Sequence, residues 1–326
     1  MDTLKRFGKL IQKYSGLLIV LAIMVIVVSA KNPNFIKLDN IIAMLRQMSI
    51  YGVMGVGMAI AIITGYFDLS AGAIAGMCAA VAAMVMRAGG SATLAILAAL
   101  ATGTAIGFFN GLIVIKTNIP AFVFTLAMTQ VVRGSLYLIT DGSPVTGMTK
   151  EYATIGNGSW LGIPIMIYIF FFVLFLGWLL LNHTVMGRSI YAVGGNPTGA
   201  RYSGIKQNSV ILFSFALCGL TAGLGGVMLS AKLTSAQPTM GTGYEMDAIS
   251  VAAIGGTSLA GGEGTMGGVL LGAMILGVIN NGMIMMGINS YWQMVVKGIV
   301  IAVAVIIDMA RKNPSANKLN KRIKVK

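Results

Sequence analysis

Ten long apolar runs follow one another along this chain, at roughly 17–30, 47–64, 70–86, 92–115, 120–140, 164–182, 209–230, 248–260, 266–285 and 292–309. A helix needs about 20 predominantly apolar residues to cross the hydrocarbon core of a bilayer, and only helices and closed barrels satisfy every backbone polar group there. Segments of about ten residues alternating apolar and polar, the mark of an outer-membrane barrel, are absent. Charged residues make up 10% of the 326, against roughly 25% in soluble domains. The chain therefore reads as an all-α integral membrane protein with about ten transmembrane helices. Residues 1–326 are expected to form a single polytopic domain. The eighth run is short for a span, which leaves a half-helix or a re-entrant element open.

The net charge of +14 invites a nucleic-acid partner, but the positions argue otherwise. Eleven of the 23 basic residues lie in two tails, Lys5–Lys13 and Arg311–Lys326, as expected of cytoplasmic ends facing anionic lipid. The tails are taken as about 1–14 and 310–326. An even number of crossings puts both on one side. With both ends inside, fifteen basic residues fall on the inner face and six on the outer, with Arg133 and Lys297 inside spans. This bias supports N-in, C-in. Val28-Ser29-Ala30 resembles a cleavage site after the first run, but a retained span is expected.

One polar stretch interrupts the apolar middle. In the loop at about 183–208, Asn196 suits a helix N-cap, Pro197 the first turn and Gly204 the stop, so a short helix fits 197–203. Arg188, Arg201 and Lys206 make the loop basic, which places it on the inner side and offers it to a soluble partner. Two outer loops, Asp141–Ile163 and Ala231–Asp247, are also long. Glycine numbers 43. The spaced sets Gly72/Gly76, Gly103/Gly107/Gly111, Gly219/Gly223 and Gly268/Gly272 are expected to let helices pack closely. Cys78 and Cys218 sit in apolar runs as reduced packing residues, and His183 cannot build a metal site alone.

No G-x-x-x-x-G-K-[ST] phosphate loop occurs, so ATP, if used, is hydrolysed by another chain. Gly262-Glu263-Gly264-Thr265-Met266-Gly267 matches a dinucleotide fingerprint, but without a βαβ unit it reads as an irregular break between membrane segments. Asp68 is read first as an N-cap for the third span and second as an ion-coupling carboxylate. Arg133 and Lys297 need partners or water. Serine, histidine and acids form no catalytic set, so an enzyme is not expected.

Several motifs taken in order resemble one family across nearly the whole chain, from Asn32-Pro33-Asn34-Phe35 to Asp308. They include Asp68-Leu69-Ser70-x-Gly72, Asn110-Gly111, Pro120-Ala121-Phe122-x-x-Thr125-Leu126 and Arg133-Gly134. They continue with Gly187-Arg188-x-Ile190-Tyr191-Ala192-x-Gly194-Gly195-Asn196 and Ser235-Ala236-Gln237-Pro238-x-x-Gly241-x-Gly243-Tyr244-Glu245-x-Asp247-Ala248-Ile249. The set resembles the permease subunits of ABC importers for monosaccharides, the ribose, xylose, arabinose and galactose group, with the ribose branch nearest. Such a resemblance implies a fold similar to vitamin B12-type importer membrane domains in a bacterial cytoplasmic membrane. It also implies a second permease copy, a cytoplasmic ATPase with two nucleotide-binding domains that holds ATP and Mg, and an extracytoplasmic sugar-binding protein.

In the resembled family the segment Asn196, Pro197, Thr198, Gly199, Ala200, Arg201, Tyr202, Ser203, Gly204 is the helix that couples to the ATPase. Gly199 and Tyr202 depart from the usual Ala-Ala-Arg-Leu-Ser, and Phe67 stands where Ile is usual. On the outer side Lys150, Glu151, Lys232, Glu245 and Asp247 are candidate docking charges for the binding protein, the two acids alternatively capping the eighth span. Asn110, Phe122, Thr125, Ser258 and Asn281 are candidate pathway residues. Phe122 and Thr125 are three apart and expected on one face, with Gln130 facing elsewhere. The competing reading is a secondary transporter of a small polar solute driven by an ion gradient.

Overall fold

A computed structural model of the chain describes residues 2–312; the rest of the C-terminal basic tail and Met1 lie outside the described residues. The described chain is helical. The order is α1 (Asp2–Lys31), a 3-10 turn (Pro33–Ile36), α2 (Leu38–Thr64), α3 (Ala71–Arg87), α4 (Ala92–Thr117), α5 (Ala121–Thr140), α6 (Lys150–Asn157), β1 (Ser159–Trp160), β2 (Ile163–Pro164), α7 (Ile165–His183), α8 (Val185–Gly195), α9 (Pro197–Tyr202), α10 (Gln207–Leu233), α11 (Tyr244–Ile254), α12 (Met266–Met285) and α13 (Ser290–Lys312). The two strands form an antiparallel hairpin.

Among the described residues seven helices have the length and composition to cross a membrane: α1 from Tyr14, α2, α4, α5, α7, α10 and α12. The apolar helices Ala71–Arg87 and Ser290–Val303 are shorter. The eighth apolar run, 248–260, differs most from expectation. Its helix occupies Tyr244–Ile254, 11 residues, about 16 Å at 1.5 Å per residue and half of a bilayer core. Residues 255–265 are irregular. The run is a half-helix.

A helix that is apolar all round belongs inside, and α2 is the central post: every residue from Met48 to Thr64 is buried. Its small residues admit neighbours. A methyl group on Gly52 would meet Phe170 of α7 at 2.7 Å, and one on Gly55 would meet Val251 of α11 at 2.7 Å. Three of the four spaced glycine sets also do what was expected, while Gly72 and Gly76 face the 240–241 loop backbone instead of a helix. A Cβ on Gly103 would overlap the carbonyl of Gly219, and one on Gly107 the carbonyl of Phe215, so α4 and α10 pack backbone to backbone. Gly268 and Gly272 seat α12 on Gly255 and Val251 in the same way. Cys78 and Cys218 are free and buried.

Three segments read as loops carry structure. Residues 141–163 hold α6 and the hairpin. The 183–208 stretch holds two helices, because Thr184 caps α8 through the Gly187 amide before α9 begins. Residues 234–243 fold inward and are described below.

Candidate coupling, docking and pathway sites

Helix α9 forms where local chemistry demands it. The Asn196 side chain accepts the Gly199 amide at 2.9 Å, Pro197 opens the first turn and Gly204 turns the chain at φ 79°. Gln207 ties back through its side chain to the Pro197 carbonyl. Gly199 lies against the Asn196 cap: a Cβ there would sit 3.0 Å from the Asn196 side-chain nitrogen Nδ2. Only Ala200 is buried. Arg201 and Ser203 are exposed, and Tyr202 is 88% exposed.

The platform beneath α9 is closely packed, backbone against backbone. Gly194, near the end of α8, lies against the last turn of α2, and a Cβ on it would overlap the Ile63 carbonyl oxygen. That same oxygen accepts the Gly262 amide at 2.8 Å, and the Tyr191 hydroxyl donates to the Gly264 carbonyl at 2.7 Å. The glycine-rich stretch 255–265 is thus a pinned turn, with Gly256, Gly261 and Gly262 at positive φ, rather than a loose break. The exposed helix, α8, the end of α2 and this turn form one contact chain.

Beyond Ile63 the backbone of α2 stops at Gly65, in a left-handed conformation, and α3 does not begin until Ala71. This interval lies below the first residues of the neighbouring helices α5 and α10. Thr64 bonds Ser214, seven residues inside α10. The Leu69 amide donates to Thr125, four residues inside α5. Both distances put the break about 6–10 Å within the helical layer. Asp68 sits there with 0% exposure. Its carboxylate accepts from the Ser70 amide at 3.0 Å and the Ser70 hydroxyl at 2.5 Å. Asn110 Nδ2 bonds Ser70 at 2.8 Å and approaches both carboxylate oxygens. Asp68 closes the turn that leads into α3 but is not the N-cap expected of it: Ser70 holds that position, and the carboxylate bonds the Ser70 amide rather than an amide of the first helical turn.

The intramembrane charges have partners. Arg133 Nη1 donates to the Pro238 carbonyl at 3.2 Å and the Met240 carbonyl at 2.6 Å. Arg133 lies seven residues from the Thr140 end of α5, about 10 Å, so the 234–243 segment dips inward to that depth. Glycines admit it: a Cβ on Gly76 would meet the Met240 carbonyl at 2.5 Å, and one on Gly241 would overlap the Gly72 carbonyl. Lys297 meets Asp247 at 2.7 Å, seven residues inside α13.

These contacts divide the five outer charges. Lys150 and Glu151 are exposed in the first turn of α6. Glu151's own amide and the Thr149 hydroxyl hold its carboxyl below the usual range. Lys232 is turned to Gln47 at 2.5 Å. Asp247 is buried in its ion pair. Glu245 points inward, with Oε2 buried over Gly72 and Arg133 as the charge that faces it. Glu245 and Asp247 are therefore not rim charges. Both lie in the first turn of α11, where negative charge is favoured, although neither makes a side-chain cap.

The five pathway candidates also separate. Phe122 is 56% exposed and Thr125 is 0% exposed, so the two do not share a face. Three residues rotate a helix by about 300°, and the edge of the buried face falls between them. Gln130 is exposed with Phe122 and Leu126, at i, i+4 and i+8. Asn110 and Thr125 meet at the Asp68 break. Ser258 is buried, its backbone amide on the Glu263 carbonyl in the pinned turn. Asn281 exchanges side-chain amide bonds with Asn40 at 2.9 Å. The sequence reading missed the inward 234–243 segment; its signal was the small residues at the contact, Gly72 and Gly76 on α3 and Gly241 in the segment itself.

Residues 40–305 match the family model described as branched-chain amino acid transport system / permease component. The chain is 45% identical over 295 residues to the ribose import permease protein RbsC of Escherichia coli K12, covering 89% of this chain and 92% of that protein. It is 42% identical over 290 residues to RbsC of Bacillus subtilis 168, covering 88% and 90%. The D-allose transport system permease protein AlsC of Escherichia coli K12 is 37% identical over 295 residues, covering 90% of each. No solved structure matches the chain.

Proposed function

The chain belongs to the family of branched-chain amino acid transport system permease components, and we propose that it is the membrane-spanning subunit of an ATP-driven importer for a ribose-type monosaccharide. It is a multi-pass protein of the bacterial inner membrane, N-in and C-in, built as one permease domain of the vitamin B12-importer kind and paired with a second copy. A cytoplasmic ATPase with two nucleotide-binding domains holds ATP and Mg, and an extracytoplasmic binding protein delivers the sugar. The relatives named for ribose import support the substrate class.

The observation that carries the coupling role is an exposed, capped helix seated on a platform that reaches the end of the central helix. Helix α9 would enter a groove on the ATPase, with Arg201 and Tyr202 as its outward side chains. Arg201→Glu reverses a charge at an interface of complementary potential, which costs several kcal/mol. ATPase binding is expected to weaken by roughly tenfold or more, 1.4 kcal/mol being a factor of ten, while thermal stability in detergent holds. Normal ATP-coupled uptake by this variant in proteoliposomes would remove α9 from the coupling role.

Docking of the binding protein falls to α6. Lys150→Gln is expected to raise the half-maximal concentration of binding protein about threefold at low salt and to lose its effect at high salt, since rim charges act on encounter rate. Stimulation unchanged at every salt concentration would exclude Lys150. The sugar route is assigned to the open face of α5 that carries Phe122 and Gln130, with Thr125 and Asn110 acting behind it through the Asp68 break and Ser258 and Asn281 holding helices together.

One observation favours a second reading. A fully buried carboxylate in a broken helix, as at Asp68, is what an ion-coupled transporter would use. Gradient-driven uptake by the permease alone, without ATPase, would select it.

A further inference from the structure

An apolar groove of about 690 Å³ lies between α2, α4, α7 and α10. Neither of its two polar side chains asks for water. Thr221 donates its hydroxyl to the Cys218 carbonyl at 3.0 Å, and Tyr168 donates to the Trp160 carbonyl at 3.1 Å. A cavity with no polar demand stays dry and takes an apolar guest.

Its shape and place narrow the guest. Along α7 the lining runs from Tyr168 to Leu180, twelve residue steps or about 18 Å. One leaflet of hydrocarbon is about 15 Å, half of a roughly 30 Å core. The groove opens sideways: Phe172 and Leu176 belong to its wall and are 62% and 44% exposed. It is continuous there with the apolar outer face of α7, at Phe171, Phe175 and Leu179, the most apolar of the seven spans. The inward charges Arg133, Glu245, Asp247 and Lys297, of which Asp247 is buried and the others partly buried, belong to α5, α11 and α13, none of which lines the groove.

We propose that this groove is a binding site for one acyl chain of a bilayer lipid, lying along α7 against Leu217, Leu220 and Leu224 of α10. The proposal rests on the chain spanning a bilayer and not on which solute it moves, so it stands or falls separately from the transport reading.

The test uses the full-length permease in phosphatidylethanolamine–phosphatidylglycerol vesicles containing phosphatidylcholine with a diazirine on one acyl chain. After irradiation, labelled peptides are mapped by mass spectrometry. Labelling of 217–224 is expected to saturate with probe and to exceed, several-fold, that of Ile19, Ile23 and Ile26 on the exposed face of α1. Leu220→Trp, which fills the groove, should abolish it and leave α1 labelling unchanged; Leu220→Ala should retain it. Labelling of 217–224 in the unmodified protein that never saturates, or stays at the α1 level, means bulk lipid contact only and overturns the site. Cysteines at 172 and 176 that cross-link two copies in the membrane overturn it too, because a second copy then covers the groove.

Discussion

Replacing Lys297 by methionine should destabilise the folded permease by about 3–5 kcal/mol, the cost of leaving a buried charge without its partner. Lys297 reaches Asp247 at 2.7 Å, with the aspartate side chain 6% exposed and the lysine 23% exposed. The two exposures make the effect asymmetric. The lysine can reorient its flexible stem toward water, so Asp247→Asn should cost less than Lys297→Met. Without the lysine, Asp247 stays in the first turn of α11 among buried neighbours and must take up a proton or draw in water. The double variant Asp247→Asn/Lys297→Met removes both charges and should recover most of the loss, as replacements of whole buried pairs do. Thermal unfolding of the four proteins in one detergent gives the coupling term. A double variant no more stable than Lys297→Met would mean that the pair does not hold α11 to α13.

How far the sequence could be read follows from the range of the forces involved. Helix α9 was legible because a cap, a first-turn proline and a terminating glycine act within the nine residues 196–204. The glycine seam between α4 and α10 was legible as a spacing, though not as a pairing of those two helices. Asp68 was placed at a boundary because the apolar run ends at Thr64; its true depth is set by Asn110, Thr125 and Ser214, which lie 42 to 150 positions away from their partners. Glu245 and Asp247 looked like rim charges because they precede an apolar run. They are inside because Gly72 and Gly76 let the 240–241 backbone descend and because Arg133 and Lys297 wait there. Local propensity has no term for a loop that enters the helical layer. The same limit explains Phe122 and Thr125: periodicity tells how far two side chains are rotated, but not where the buried edge falls.

Valine at Gly194 should uncouple the two ends of this machine, while alanine one residue later should not. At Gly194 a Cβ would overlap the Ile63 carbonyl oxygen and come within 2.7 Å of the Gly262 amide nitrogen. Both are backbone atoms, already bonded to one another at 2.8 Å, so neither can turn away as a side chain would. Relief requires α8 to lift from α2, carrying α9 with it. Overpacking of this kind costs about 1–3 kcal/mol, and more where nothing can yield; the upper end is expected here. At Gly195 the nearest atom to a Cβ is Gly262 Cα at 3.9 Å, ordinary contact, and an exposed substitution of that kind stays within about 0.5 kcal/mol. Two measurements separate misfolding from uncoupling. Hydrogen exchange should rise in 185–204 of Gly194→Val and stay unchanged in the α4–α10 seam. Reconstituted with the ATPase, that variant should hydrolyse ATP with little uptake, and Gly195→Ala should keep both. If Gly194→Val transports sugar at the rate of the unmodified protein, the contact between α8 and the end of α2 is scaffolding, and the coupling path runs elsewhere.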